Sequence, residues 1–153
     1  MYVCTVKIED AIQQKKFKNL QQKAIINLMY TSNWLTDQQN QLFSEFDITP
    51  QQFNVLRILK GKSPESACPG AIKAVMIDKN PDLTRLCDRL LQKGVIEREF
   101  NPLNRRQVNI RINQKGIDLL RKIQPRMEQH AKTIKLSNKD AKILSEILDR
   151  LRS

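Results

Sequence analysis

The chain has 153 residues, with 27 Lys and Arg against 16 Asp and Glu, for a formal charge of +11. That length suits one domain with a sizeable core, and the positive excess points to a polyanionic partner, usually nucleic acid. No stretch reaches the ~18 apolar residues that cross a bilayer, residues 1–10 carry no secretory signal, and three scattered cysteines (Cys4, Cys68 and Cys87) fit the reducing cytoplasm rather than a disulfide framework.

Residues 1–8 alternate weakly, with Cys4, Val6 and Ile8 on one side, as a short strand or a loose arm would. From about Glu9 to Phe46 there is no Gly or Pro, and Phe17, Leu20, Ala24, Leu28, Leu35 and Leu42 recur at helical spacing. Ile25, Ile26, Met29, Tyr30 and Trp34 cover other faces of the same stretch, which predicts a helix buried on more than one side, with another copy of the chain as the second wall. A break near Asn19 would divide it into a short helix and a long one.

Thr49-Pro50-Gln51-Gln52 has the chemistry of a helix start, a cap followed by proline at the first helical position. That helix turns Phe53, Leu56 and Leu59 inward and is expected to stop at Gly61. After a loop from Lys62 to Gly70, a short helix over Ala71 to Ile77 is expected. Asn80-Pro81 then opens a third helix with Leu83, Leu86, Cys87, Leu90 and Leu91 as its inward stripe, ended by Gly94. Two strands rich in β-branched residues follow, Val95 to Phe100 and Val108 to Ile112, joined by a turn around Pro102 and Asn104. Asn113 caps a helix that Pro125 should kink, and Ser137 caps a last helix carrying Ile143, Leu144, Ile147, Leu148 and Leu151.

The expected fold is therefore mostly α with a small β-hairpin wing: a winged helix-turn-helix core at 47–112, flanked by N-terminal (1–46) and C-terminal (113–153) dimerisation helices. A helix fits the major groove of B-DNA, and its N-terminal half reaches the base edges. Asn80, Asp82, Thr84 and Arg85 occupy that half, with Arg89 one turn further on the same side. Arg85 could bind guanine with both ends of its guanidinium, and Asp82 could accept from a cytosine amine or favour the helix N-terminus. Phe100 to Lys115 carries Arg105, Arg106, Arg111 and Lys115 and no acid, which suits a basic hairpin entering the minor groove with Asn104, Arg105 and Arg106 at its tip.

At Thr84-Arg85-Leu86-Cys87-Asp88-Arg89-Leu90, Lys93 to Arg98 and Asn104 to Gly116 the chain resembles the multiple antibiotic resistance regulator (MarR) family of bacterial transcription factors, with Thr49 to Leu56 similar to the start of its second core helix. The resemblance implies a homodimer whose two winged lobes bind a pseudo-palindromic operator on double-stranded DNA. It also implies a repressor released by a small-molecule effector or by thiol oxidation, and places Arg106 at the family's minor-groove arginine. Asn104 stands where that family's wing carries an aspartate.

The remaining candidates are weaker. Tyr30, Trp34 and Phe53 could line a ligand pocket between the dimer arm and the winged helix, or be plain core. Cys68, before Pro69 and a helix start, is the better placed of the cysteines for redox sensing, whereas Cys87 sits on the apolar stripe. His130 has no ligand partners at metal spacing, no cofactor is expected, and no catalytic motif is present, so the chain is not read as an enzyme. The alternative reading is a winged-helix module for protein or RNA contact without operator binding.

Overall fold

In the computed structural model, residues 6–101 and 104–153 are described, with the side chains of residues 101 and 104–107 outside that description. The turn residues Pro102 and Leu103, the side chains of Asn104, Arg105 and Arg106, and the arm with Cys4 therefore lie outside the described residues. The chain divides into two compact units, one ending at Pro50 and one running from Gln51 to Ser153.

The first unit holds α1 (Ile8–Ala11) and α2 (Leu20–Ser44). The break falls where the sequence puts it: Asn19 is the N-cap of α2, its Oδ1 accepting from the backbone N–H of Gln22 at 2.8 Å. Glu9 of α1 pairs with Lys23 of α2, and that hydrogen bond from Lys23 holds the carboxyl below its ordinary range. Leu42 and Phe43 near the end of α2 are buried, while Ile25, Met29, Tyr30 and Trp34 are exposed.

The second unit contains α3 (Pro50–Lys62, whose first residue closes the first unit), α4 (Pro69–Ala74), α5 (Leu83–Gln92), β1 (Ile96–Asn101), β2 (Asn104–Ile112), α6 (Gln114–Thr133) and α7 (Asn138–Leu151). Helix α3 does not stop at Gly61 but passes through it to Lys62. A Cβ at Gly61 would meet nothing, so the glycine is not required there. Its cost of about 1 kcal/mol in a helix is small against burying Val55, Leu56 and Leu59. The second short helix also starts and ends earlier than expected, with Pro69 at its first turn in place of Ala71 and Ala74 at its end in place of Ile77.

Helix α5 is capped by Asp82 rather than by Asn80, the carboxylate accepting from the N–H of Arg85 at 3.1 Å. It ends as the glycine predicts. Gly94 takes φ +65°, its N–H bonds the Leu91 carbonyl at 2.8 Å, and the N–H of Val95 reaches back to the Leu90 carbonyl at 3.2 Å. These paired bonds satisfy the last carbonyls of the helix and turn the chain straight into β1.

Strands β1 and β2 pair antiparallel with Ile96 opposite Ile112, Arg98 opposite Ile110 and Phe100 opposite Val108, and the register shifts after Phe100. Ala67, in the α3–α4 loop, exchanges backbone hydrogen bonds with Ile110 at 2.8 and 2.9 Å, so the loop adds a one-residue rung to the hairpin. The core is formed where α3, α4, α5 and the hairpin meet, with Leu56, Leu59, Ile72, Met76, Leu90 and Ile96 at its centre.

Asn113 joins the hairpin to α6. Its Oδ1 accepts from the Gly116 N–H at 3.1 Å, and its Nδ2 donates to the Gly94 carbonyl at 3.0 Å. Gly116 is there for space: a Cβ would lie 2.2 Å from the Val95 carbonyl oxygen and 2.6 Å from Ile112 Cγ1. Helix α6 runs from Gln114 to Thr133 with Pro125 inside it. Ser137 caps α7 by accepting from the Asp140 N–H at 3.1 Å, and α7 buries no residue, leaving Ile143, Leu144, Ile147 and Leu151 exposed along one stripe.

Candidate nucleic-acid interface

Helix α5 has two contrasting faces. Leu83, Leu86, Cys87 and Leu90 are buried, whereas Asp82, Thr84, Arg85, Arg89 and Gln92 are exposed, and Leu91 lies between. Arg85 and Arg89, four residues apart, share the exposed face. Among the described residues neither makes an ion pair. Their charge is therefore available to a ligand. Asn80 is exposed in the loop before the helix, and Asp82 has its carboxylate engaged as the cap.

The strands of the hairpin spend their cations differently. Arg98 pairs with Asp88 of α5. Arg111 donates from Nε and Nη2 to Glu97 Oε2 at 3.0 and 2.8 Å, and from Nη1 it meets Glu99 Oε1 at 2.7 Å. The hydrogen bond from Arg111, helped by Asn113, holds the Glu97 carboxyl below its ordinary range; the same bond with Glu97, together with Glu99, raises the arginine's pKa. Arg111 thus braces the hairpin base. Counting the acid-free run from Phe100 to Lys115 misses this because its neutralising acids sit on the other strand. The signal was available: once Ile96 lies opposite Ile112, Glu97 must face Arg111.

Two of the cavities among the described residues lie within the second unit. One of about 200 Å³ between α5 and the hairpin is lined by Pro69, Leu83, Thr84, Cys87, Arg98, Val108 and Ile110. Burial pushes the Cys87 thiol up to about 11, so it remains protonated at neutral pH and is a poor nucleophile. The other, of about 370 Å³, lies between α3 and α6 and is lined by Phe53, Arg57, Lys60, Leu120, Arg121, Gln124, Pro125 and Met127. Phe53 is thus a cavity residue, while Tyr30 and Trp34 are exposed on α2 of the first unit. Cys68 is half-buried as the residue preceding α4 and makes no side-chain cap. Among the described residues no cluster of three or more His, Cys, Asp or Glu could hold a metal ion, and no helix is long and apolar enough to cross a membrane.

Three helices with a two-stranded hairpin against the third define a winged helix-turn-helix protein. No protein-family model matches the chain. It is 38% identical over 95 residues to the multiple antibiotic resistance protein MarR of Salmonella typhimurium, an alignment covering 58% of this chain and 61% of that protein. It spans about half the length of other curated relatives, 54% of the regulator PecS of Dickeya dadantii among them. The crystal structure of a MarR transcription factor from Planctomyces limnophilus is 30% identical, with a TM-score of 0.68 over 90% of this chain and 98% of that one. A cysteine-to-serine mutant of MarR from Escherichia coli, complexed with operator DNA, is 28% identical, with a TM-score of 0.70 over 82% of this chain and 91% of that one. The chain belongs to the MarR family of transcription regulators, a family without enzymatic activity.

Proposed function

We propose that the chain is a homodimeric regulator that binds a pseudo-palindromic operator on double-stranded DNA and represses transcription until a small ligand releases it. The observation that carries this reading is the exposed Arg85 and Arg89, unpaired among the described residues, on a capped helix whose other face is core. In the proposed complex, the N-terminal half of α5, with Thr84 and Arg85, enters the major groove together with Asn80 of the preceding loop, and Arg89 follows along it. Asn104, Arg105 and Arg106 at the hairpin tip take the adjoining minor groove, where a narrow width concentrates negative potential. Asp82 contributes by fixing the start of α5 rather than by reading a base. Operator binding by the Escherichia coli relative supports the same use of the fold here.

The dimer is supported by two apolar faces that remain uncovered on the single chain: Ile25, Met29, Tyr30 and Trp34 on α2, and Ile143, Leu144, Ile147 and Leu151 on α7. Exposed stripes of this extent at helical spacing mark protein interfaces. The cavity between α3 and α6, apolar at Phe53, Leu120 and Met127 and rimmed by Arg57, Lys60 and Arg121, is the proposed effector site. Two measurements test the reading. Light scattering at micromolar concentration is expected to give twice the 17.8 kDa chain mass. A duplex carrying an inverted repeat from the promoter of the protein's own gene is expected to bind more tightly than a scrambled duplex. Equal binding to both, or a monomer that still binds the repeat, would contradict it.

A further inference from the structure

Eight residues, Val75 to Asp82, separate α4 from α5, about twice the usual helix-turn-helix turn of three or four. Their conformation is fixed rather than loose. Met76 and Pro81 are buried at either end, and Asp78 between them accepts from Gln51 Nε2 of α3 at 2.6 Å and from the Asn80 N–H at 2.9 Å. The loop so held presents two apolar side chains to solvent, Val75 at 58% exposure and Ile77 at 81%.

A lone exposed apolar residue is ordinary. These two lie in the segment that leads into the N-terminal end of α5, and Lys73, Lys79, Asn80, Thr84 and Arg85, which flank them along the chain, are exposed too. Among the described residues Lys73, Lys79 and Arg85 make no ion pair, and the two acids of the segment, Asp78 and Asp82, accept hydrogen bonds from N–H groups of their own chain. An apolar protein partner would have to desolvate those cations. A DNA duplex satisfies both requirements, because phosphates take the cations and the thymine methyl is the apolar group of the major groove.

On the DNA-binding reading above, we infer that Ile77 is a specificity residue that packs on a thymine methyl group at the edge of each operator half-site, with Lys79 on the neighbouring phosphate. The experiment begins with selection of tight-binding duplexes from a random pool by the full-length chain. Each thymine of the selected half-site is then replaced in turn by uracil, which lacks only that methyl, and affinity is measured by fluorescence anisotropy for the wild type and for Ile77→Ala. Uracil at one or two positions is expected to weaken the wild type about fourfold, the weight of one buried methyl group. The same replacements should leave Ile77→Ala unchanged, and the variant should melt with the wild type because the side chain is exposed. Identical uracil profiles for both proteins would overturn the inference while leaving DNA binding intact. A wild-type chain that selects no duplex would overturn the DNA-binding reading along with it.

Discussion

The outer face of α5 and the base of the hairpin are adjacent, both rich in arginine, and built on opposite plans. On α5, Arg85 and Arg89 stand exposed without an acid partner among the described residues, while the nearby acid Asp82 is occupied as the helix cap. On the strands, Arg98 is paired with Asp88, and Arg111 with Glu97 and Glu99. On the proposed reading, positive charge alone does not mark the residues that would meet DNA. An arginine already neutralised by a carboxylate must surrender that partner before it can bind a phosphate, whereas an unpaired one gives up only water.

The largest effect should come from the joint that seats α6 on the hairpin base. Gly116→Ala places a methyl against the Val95 carbonyl oxygen and Ile112, a contact that backbone must yield to relieve. A loss of about 3 kcal/mol in urea unfolding is expected, near the upper end for overpacking. An unfolding midpoint equal to that of the wild type would show that α6 is not seated on the hairpin as described.

The next contrast separates the arginines. Arg85→Ala and Arg89→Ala should each weaken operator binding roughly tenfold or more, as expected for loss of a base or phosphate contact, with melting temperature unchanged. Arg106→Ala should behave likewise. Arg111→Ala should reverse the pattern, with operator affinity within about twofold of wild type and a slightly lower melting temperature, because exposed ion pairs contribute little. Equal losses of affinity at Arg85 and Arg111 would erase the distinction between the two regions.

The smallest effect is in pH. The Glu97 carboxyl is held below its ordinary range in the folded chain by Arg111 and Asn113, so its contribution is present above the unfolded carboxylate value of about 4.3 and is lost as pH falls through the lowered folded value. Thermal melts of Glu97→Gln should therefore lie slightly below wild type at pH 6 and converge with it toward pH 3. A gap that persists undiminished in acid would place the stabilisation elsewhere.

Much of this layout is written in local chemistry. Asn113 and Ser137 cap the helices that the sequence has them cap, the break near Asn19 falls at an N-cap, and Gly94 ends α5, because each of these signals acts within four residues of itself. The failures come where two nearby residues compete or where the partner is distant in sequence. Asn80 and Asp82 can both cap, and the structure gives the cap to Asp82, which directly precedes the first residue of α5 and accepts from the Arg85 N–H. The ends of α4 were missed because Pro69 suits a first turn as well as it suits a loop. For the candidate site, exposure of Arg85 and Arg89 follows from the leucine stripe opposite them. The pairing of Arg98 depends on how the hairpin folds back over α5, which helical spacing does not encode.

The proposed function requires a duplex to dock against the exposed outer face of α5. The direct test is the affinity of the purified chain for its inverted-repeat duplex as salt is raised from about 50 to 200 mM, where release of counterions from several phosphates should cost roughly a thousandfold. Binding that stays level across that range, or is absent at its lower end, would contradict it.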